Sequence, residues 1–135
     1  MKIESVNHIA LLVKDAVRSA EFYQSYCGME VVHFRKDGDL NVRWVRLPGQ
    51  KDGFMLVLLE TLRDVSEEPE RMDHLGVYVE SRKDVDEIAA RAGADGILLE
   101  GPVYAGEVVG YYCMIRDPDG NVVELKGPGK FAAPR

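Results

Sequence analysis

Short apolar runs alternate with polar breaks along the chain, and they recur twice in the same order. Residues 6–13, Val-Asn-His-Ile-Ala-Leu-Leu-Val, make a mostly apolar run bounded by polar residues, the pattern of a largely buried strand. Asp15 stands where an N-cap carboxylate accepts from the free amides of a first helical turn. Val17, Ala20, Phe22 and Tyr23 follow near helical spacing, and Gly28 suits the left-handed residue that closes a helix. Strands are expected at Glu30–Arg35, Asn41–Leu47 and Phe54–Glu60, with turn signals at Lys36-Asp37-Gly38-Asp39 and at 48–53. In 41–47 the alternation sets Val42, Trp44 and Arg46 against Arg43, Val45 and Leu47. Each face is mixed, so the pattern leaves the buried one open.

Residues 62–71 break the periodicity with a charged stretch, read as a linker or surface loop. The pattern then restarts. Met72-Asp73-His74-Leu75-Gly76-Val77-Tyr78-Val79 echoes Val6 to Val13, and Ser81 takes the place of Asp15, with Asp84 completing a capping box. Val85, Ile88, Ala89 and Ala92 lie at i, i+3, i+4 and i+7, one face of a helix that Gly93 is expected to end. Strands are expected at Ile97–Glu100, Val108–Arg116 and Asn121–Leu125, with Asp117-Pro118-Asp119-Gly120 as a turn. Gly101-Pro102, Gly106 and Gly110 mark a flexible connection where a lid would sit.

Each half therefore reads β-α-β-β-β, an α+β arrangement of two repeats, 1–61 and 72–127. A linker at 62–71 joins them and a tail at 128–135 follows. Neither half alone would bury much core, so the expectation is a single domain, 1–135, in which the halves pack together.

Composition narrows the partners. Seventeen basic and 23 acidic side chains give a net charge of −6, against the basic footprint that nucleic-acid binding requires. No apolar run reaches the roughly 18 residues of a membrane span, and the first residues lack the apolar stretch of a secretory signal. Cys27 and Cys113 form no CxxC motif, so a reducing cytoplasm is the expected compartment.

The repeat also matches ionisable positions. His8 and His74 lie in the first strands, and Glu60 and Glu124 in the last strands, of their respective halves. Glu60 follows His8 by 52 residues and Glu124 follows His74 by 50. A carboxylate buried in Asn-Val-Val-Glu-Leu needs a partner or a metal. Two imidazoles with one or two carboxylates suit Mn, Fe, Co, Ni or Zn, with positions left open for substrate. Glu60 has two readings, a ligand or a solvent-facing strand end, because a one-residue slip reverses its face. His33 has no counterpart in the second half and reads as a strand surface residue, and Cys27 as a core filler. Trp44, Phe54 and Met55 either line an apolar pocket or fill the core. One of Tyr111 and Tyr112 points inward, to pack or to donate to a substrate oxygen.

These motifs resemble the vicinal oxygen chelate superfamily, the glyoxalase, bleomycin-resistance and extradiol dioxygenase fold. The resemblance rests on His8-Ile-Ala-Leu-Leu-Val-Lys-Asp15, Ser19-Ala-Glu-Phe22-Tyr23 leading to Gly28, His74-Leu-Gly-Val-Tyr-Val, Arg116-Asp117-Pro118-Asp119-Gly120-Asn121 and Val123-Glu124-Leu125. It implies paired βαβββ modules forming a curved, cup-shaped mixed sheet around a divalent metal held by His8, Glu60, His74 and Glu124. A full set resembles glyoxalase I, a lyase or isomerase in which a ligand glutamate moves a proton; Glu124 takes that role, with Glu60 as its counterpart. Without Glu60, the remaining His8, His74 and Glu124 resemble the set of extradiol dioxygenases and thiol transferases. A non-catalytic drug-binding protein of the bleomycin-resistance kind is the third reading. Each implies a small-molecule ligand, and related folds imply a homodimer whose cup is completed within one chain or by a second copy.

Overall fold

The computed structural model describes residues 1–2, 8–50, 53–62 and 72–129. Val6 and Asn7 of the first expected strand, 63–71 of the expected linker and 130–135 of the expected tail lie outside the described residues. The chain divides into two compact units, Met1–Glu68 and Pro69–Arg135.

In the first unit, β1 (His8–Val13) leads into α1 (Ala16–Cys27), followed by β2 (Glu30–Asp37), β3 (Leu40–Arg46) and β4 (Met55–Glu60). The sheet order is β1-β4-β3-β2: the first strand adds parallel to the last, and the last three run antiparallel in sequence. Asp15 caps α1 by accepting from Arg18 N at 2.9 Å, and Gly28 closes it at φ 64°. The buried face of α1 carries Ala16, Ser19, Ala20, Phe22 and Tyr23. Val17, expected inside, is 42% exposed. Ala16, Ser19, Ala20 and Tyr23 hold the i, i+3, i+4, i+7 stripe, and the small hydroxyl of Ser19 disguised it. Val13, Val45, Leu56 and Leu58 are fully buried.

The second unit repeats the topology. Its elements are β5 (Leu75–Tyr78), α2 (Arg82–Ala94), β6 (Leu98–Tyr104), a one-turn α3 (Gly106–Val109), β7 (Tyr111–Arg116) and β8 (Val122–Lys126). Sheet order is β5-β8-β7-β6, again with a parallel first-to-last pair. The capping box is present: Ser81 Oγ accepts from Asp84 N, and Asp84 Oδ2 accepts from Ser81 N at 2.9 Å. Val85, Ala89 and Ala92 pack over Cys113, Ile115, Val123 and Leu125, all buried.

Three expectations change here. The helix does not stop at Gly93; it runs to Ala94, and the reversal uses Gly96 at φ 74°, with Ile97 N donating to Ala92 O. Residues 108–116 are not one strand, because α3 occupies the first part. Gly101-Pro102 is no loose connection but part of β6. Gly101 has φ 88°, and a Cβ there would stand 2.6 Å from Tyr112 O, so only glycine lets β6 approach β7 so closely.

Candidate functional site

In unit 2, β5 and β8 pair in the register Leu75↔Val123 and Gly76↔Glu124. Because paired positions in adjacent strands share a face, Glu124 lies on the face of Gly76, two residues on from His74. His74 Nε2 is 3.2 Å from Glu124 Oε2. Gly76 keeps the space beside the carboxylate clear, since a Cβ there would already touch Glu124 Oε2 at 3.5 Å. Glu124 is 8% exposed, a buried carboxylate in an otherwise apolar strand.

Asp73 Oδ1 lies 2.5 Å from His74 Nδ1, a contact that suits a proton on Nδ1. The Nε2 lone pair then faces a carboxylate oxygen. Two acceptors at 3.2 Å need a shared cation: a second proton on the ring, or a metal ion. Nitrogen and oxygen ligands each about 2.1 Å from one divalent ion stand roughly 3 Å apart, so the pair fits. A carboxylate behind a histidine is the usual orienting partner where such a histidine ligates a metal. Among the described residues, no group of three His, Cys, Asp or Glu side chains forms a ready metal cluster. The pair in unit 2 is therefore what its own fold assembles.

The face of sheet β5-β8-β7-β6 away from α2 continues around this pair. Glu124 pairs with Met114, and Met114 with Glu100; one register step on, Lys126 pairs with both Tyr112 and Tyr78. The buried Tyr112 hydroxyl donates to Glu100 Oε1 at 2.8 Å. That hydrogen bond first, then burial and the charges of Glu100 and Glu124, raise the phenol above its ordinary value, so Tyr112 stays a neutral donor. Of the two tyrosines, Tyr112 is thus on the ligand face. Tyr111 looks to the helix side, donating to Asp86.

Unit 1 is arranged differently at the corresponding place. His8 begins β1 opposite Met55, whereas Glu60 ends β4 opposite Val13. Five residues of strand, about 17 Å, separate the two rows, and the odd number puts the two side chains on opposite faces. The structure does not bring His8 and Glu60 together. The partner of Ala10, two residues after His8, is Val57, so valine occupies the position that Glu124 holds in unit 2.

Glu60 instead binds its own unit together. It accepts from Ala16 N at 2.9 Å, the first amide of α1, and from Asn41 N at 2.9 Å. The Asn41 side chain adds contacts at 3.1 and 3.2 Å. Burial pushes this carboxyl upward, but the backbone N–H groups of Asn41 and Ala16 and the Asn41 amide outweigh it and hold Glu60 below its ordinary value. The ligand expected at Glu60 is thus engaged at both oxygens as a helix and sheet tie.

The remaining candidates have local roles. His33 is exposed on β2, its ring 4.9 Å from that of Trp44. Trp44 pairs with Val57 on the His8 face, half-buried, and Phe54 is 41% exposed. Burial raises the Cys27 thiol to about 12; burial and then Asp86 raise Cys113 to about 11, so neither is a thiolate at neutral pH. Sequence reasoning passed over Asp73, Glu100 and Lys126. Asp73 was signalled by its place before His74, while the other two require the strand register.

A family model described as the Glyoxalase/Bleomycin resistance protein/Dioxygenase superfamily matches residues 5–125. PA2024, an uncharacterized protein of Pseudomonas aeruginosa, is 36% identical over 135 residues, 96% of this chain and 96% of that one. A possible glyoxalase from Bacillus cereus is similar in structure, with TM-score 0.70, 28% identity, and 92% of this chain and 99% of that chain covered. The fosfomycin resistance protein FosX from Listeria monocytogenes shares the fold at TM-score 0.75 and 20% identity, over 96% of this chain and 97% of its own.

Proposed function

The chain belongs to the glyoxalase/bleomycin resistance protein/dioxygenase superfamily, and we propose that it is a divalent-metal-dependent enzyme acting on a small molecule with two neighbouring oxygens. The ligands proposed from unit 2 are His74 and Glu124; His8 remains the expectation drawn from the resemblance. One observation carries this reading: His74 Nε2 and Glu124 Oε2 face each other at 3.2 Å while Asp73 holds Nδ1. A pure ligand-binding protein has no use for such a pair in an apolar sheet.

A bound divalent ion would polarise the substrate oxygens and stabilise negative charge developing on them. The protein residues do the rest. Asp73 fixes the ring of His74, Gly76 leaves Glu124 room, and Tyr112, neutral with its O–H given to Glu100, presents its hydroxyl oxygen as an acceptor on the same face. Glu60 stays outside the ligand set in this reading. Three ligands suffice for ring-opening dioxygenation, which is therefore the better fit. Isomerisation is the second reading, favoured by the burial of Glu124, which would then accept a proton from the substrate carbon.

Metal analysis of protein purified without chelator tests the reading, with aerobic catechol cleavage and hemithioacetal isomerisation assayed in parallel. The expected result is one divalent ion per chain and catechol cleavage that His74→Ala abolishes. Absence of stoichiometric metal, with activity indifferent to His74→Ala and Glu124→Gln, contradicts it.

A further inference from the structure

Lys126 places a cation on the ligand face of β8, two residues beyond Glu124 and on the same side of the sheet. Two residues of strand set the Cα atoms of Glu124 and Lys126 about 7 Å apart. Lys126 is half-buried, and its register partners on both sides are tyrosines, Tyr78 on β5 and Tyr112 on β7. Its Nζ lies 5.4 Å from the centroid of the Tyr78 ring. Among the described residues Lys126 makes no ion pair; on the same face Glu124 meets His74, and Glu100, in the Glu124 row, is engaged by the Tyr112 hydroxyl. An ammonium group held over a ring face on a half-buried side chain, with no ion pair among the described residues, has unspent capacity for an anion.

We propose that Lys126, framed by Tyr78 and Tyr112, is the specificity-determining residue of this site and seats an anionic group of the substrate. The inference rests on the metal-site reading above and adds the substrate class to it. The substrate carries its neighbouring oxygens at one end and a carboxylate-type anion at the other, separated by about the span from Glu124 to Lys126. Tyr112 stands beside Lys126 in the same row, its O–H given to Glu100. The apolar residues around them, Met114 and Val122, suit a flat or short carbon skeleton linking the two ends.

Catechol and 3,4-dihydroxybenzoate differ by one carboxylate and serve as probes. The full chain is loaded with Ni2+ and each compound is titrated calorimetrically against wild type, Lys126→Gln and Glu124→Gln. Wild type is expected to bind the dihydroxybenzoate at least about tenfold more tightly than catechol, the size of one charge-assisted hydrogen bond. Lys126→Gln brings the two within about twofold, with catechol and Ni2+ affinities nearly unchanged. Lack of preference in wild type, or a preference that survives Lys126→Gln, overturns the anion seat while leaving the metal site standing. Binding of both probes that is indifferent to Ni2+ and to Glu124→Gln overturns the metal site and the seat together.

Discussion

At Glu60 three N–H donors converge on one carboxylate, and two of them come from different elements, the first amide of α1 and the backbone of β3. Removing it orphans the helix amide and loosens the strand end, so Glu60→Ala is expected to cost about 2 kcal/mol in urea unfolding. The pH dependence follows from the direction of its shift. The folded chain holds Glu60 below the ordinary 4.5, so the unfolded chain takes up the proton more readily. Its contribution is fully present above about 4.5 and is lost as pH falls through the folded value. Unfolding midpoints of wild type should drop on acidification below 4.5 more than those of Glu60→Gln; parallel curves would deny Glu60 this role. In the proposed metal site Asp73 acts on function instead. In that reading Asp73→Ala leaves the ring of His74 without its acceptor and is expected to weaken metal binding by about 10- to 100-fold with little change in stability. A competition assay with a chromophoric chelator measures it.

At the scale of elements, the strand β6 depends on one residue for its fit. Gly101→Ala must relieve a 2.6 Å approach to Tyr112 O at a backbone φ of 88°. The expected loss is about 2 kcal/mol or more by thermal unfolding, with Tyr112 displaced from Glu100. A variant as stable as wild type would contradict this. Most elements were legible in the sequence, because apolar runs, the Asp15 and Ser81 caps and Gly28 are local signals. Two features were not. Gly93 looked like a helix end, but the helix continues past it and turns at Gly96, a choice made by the Ile97–Ala92 hydrogen bond and not by composition. The match of Glu60 to Glu124 rested on spacings of 52 and 50 from the respective histidines. Register shows that Val57, 49 residues after His8, is the counterpart. A count along the chain cannot see a three-residue offset that reverses a face. His74 and Glu124 were readable because the repeat, the apolar neighbours and the turn before β8 agree there.

At the scale of the molecule, the two units share one topology and diverge in use. In unit 1 the glutamate at the end of β4 fastens the helix to the sheet. In unit 2 the glutamate of β8 turns to the other face and meets a histidine. Such duplication with divergence leaves one half free to specialise while both keep the same apolar core, with Val45, Leu56 and Leu58 answered by Ile115, Val123 and Leu125. Metal that binds only the folded chain stabilises it by mass action, by about 2.7 kcal/mol at a free concentration 100 times the dissociation constant. Added Ni2+ or Mn2+ is accordingly expected to raise the Tm of wild type by several degrees, and to leave that of His74→Ala unmoved.

The division of labour between the two glutamates is tested most directly by the divalent-metal affinity of Glu124→Gln and Glu60→Gln, measured side by side on the metal-free full chain. Glu124→Gln is expected to lose at least about tenfold in affinity, while Glu60→Gln binds as wild type and loses only stability. Equal losses in both would return Glu60 to the metal, and no loss in either would remove the metal from Glu124.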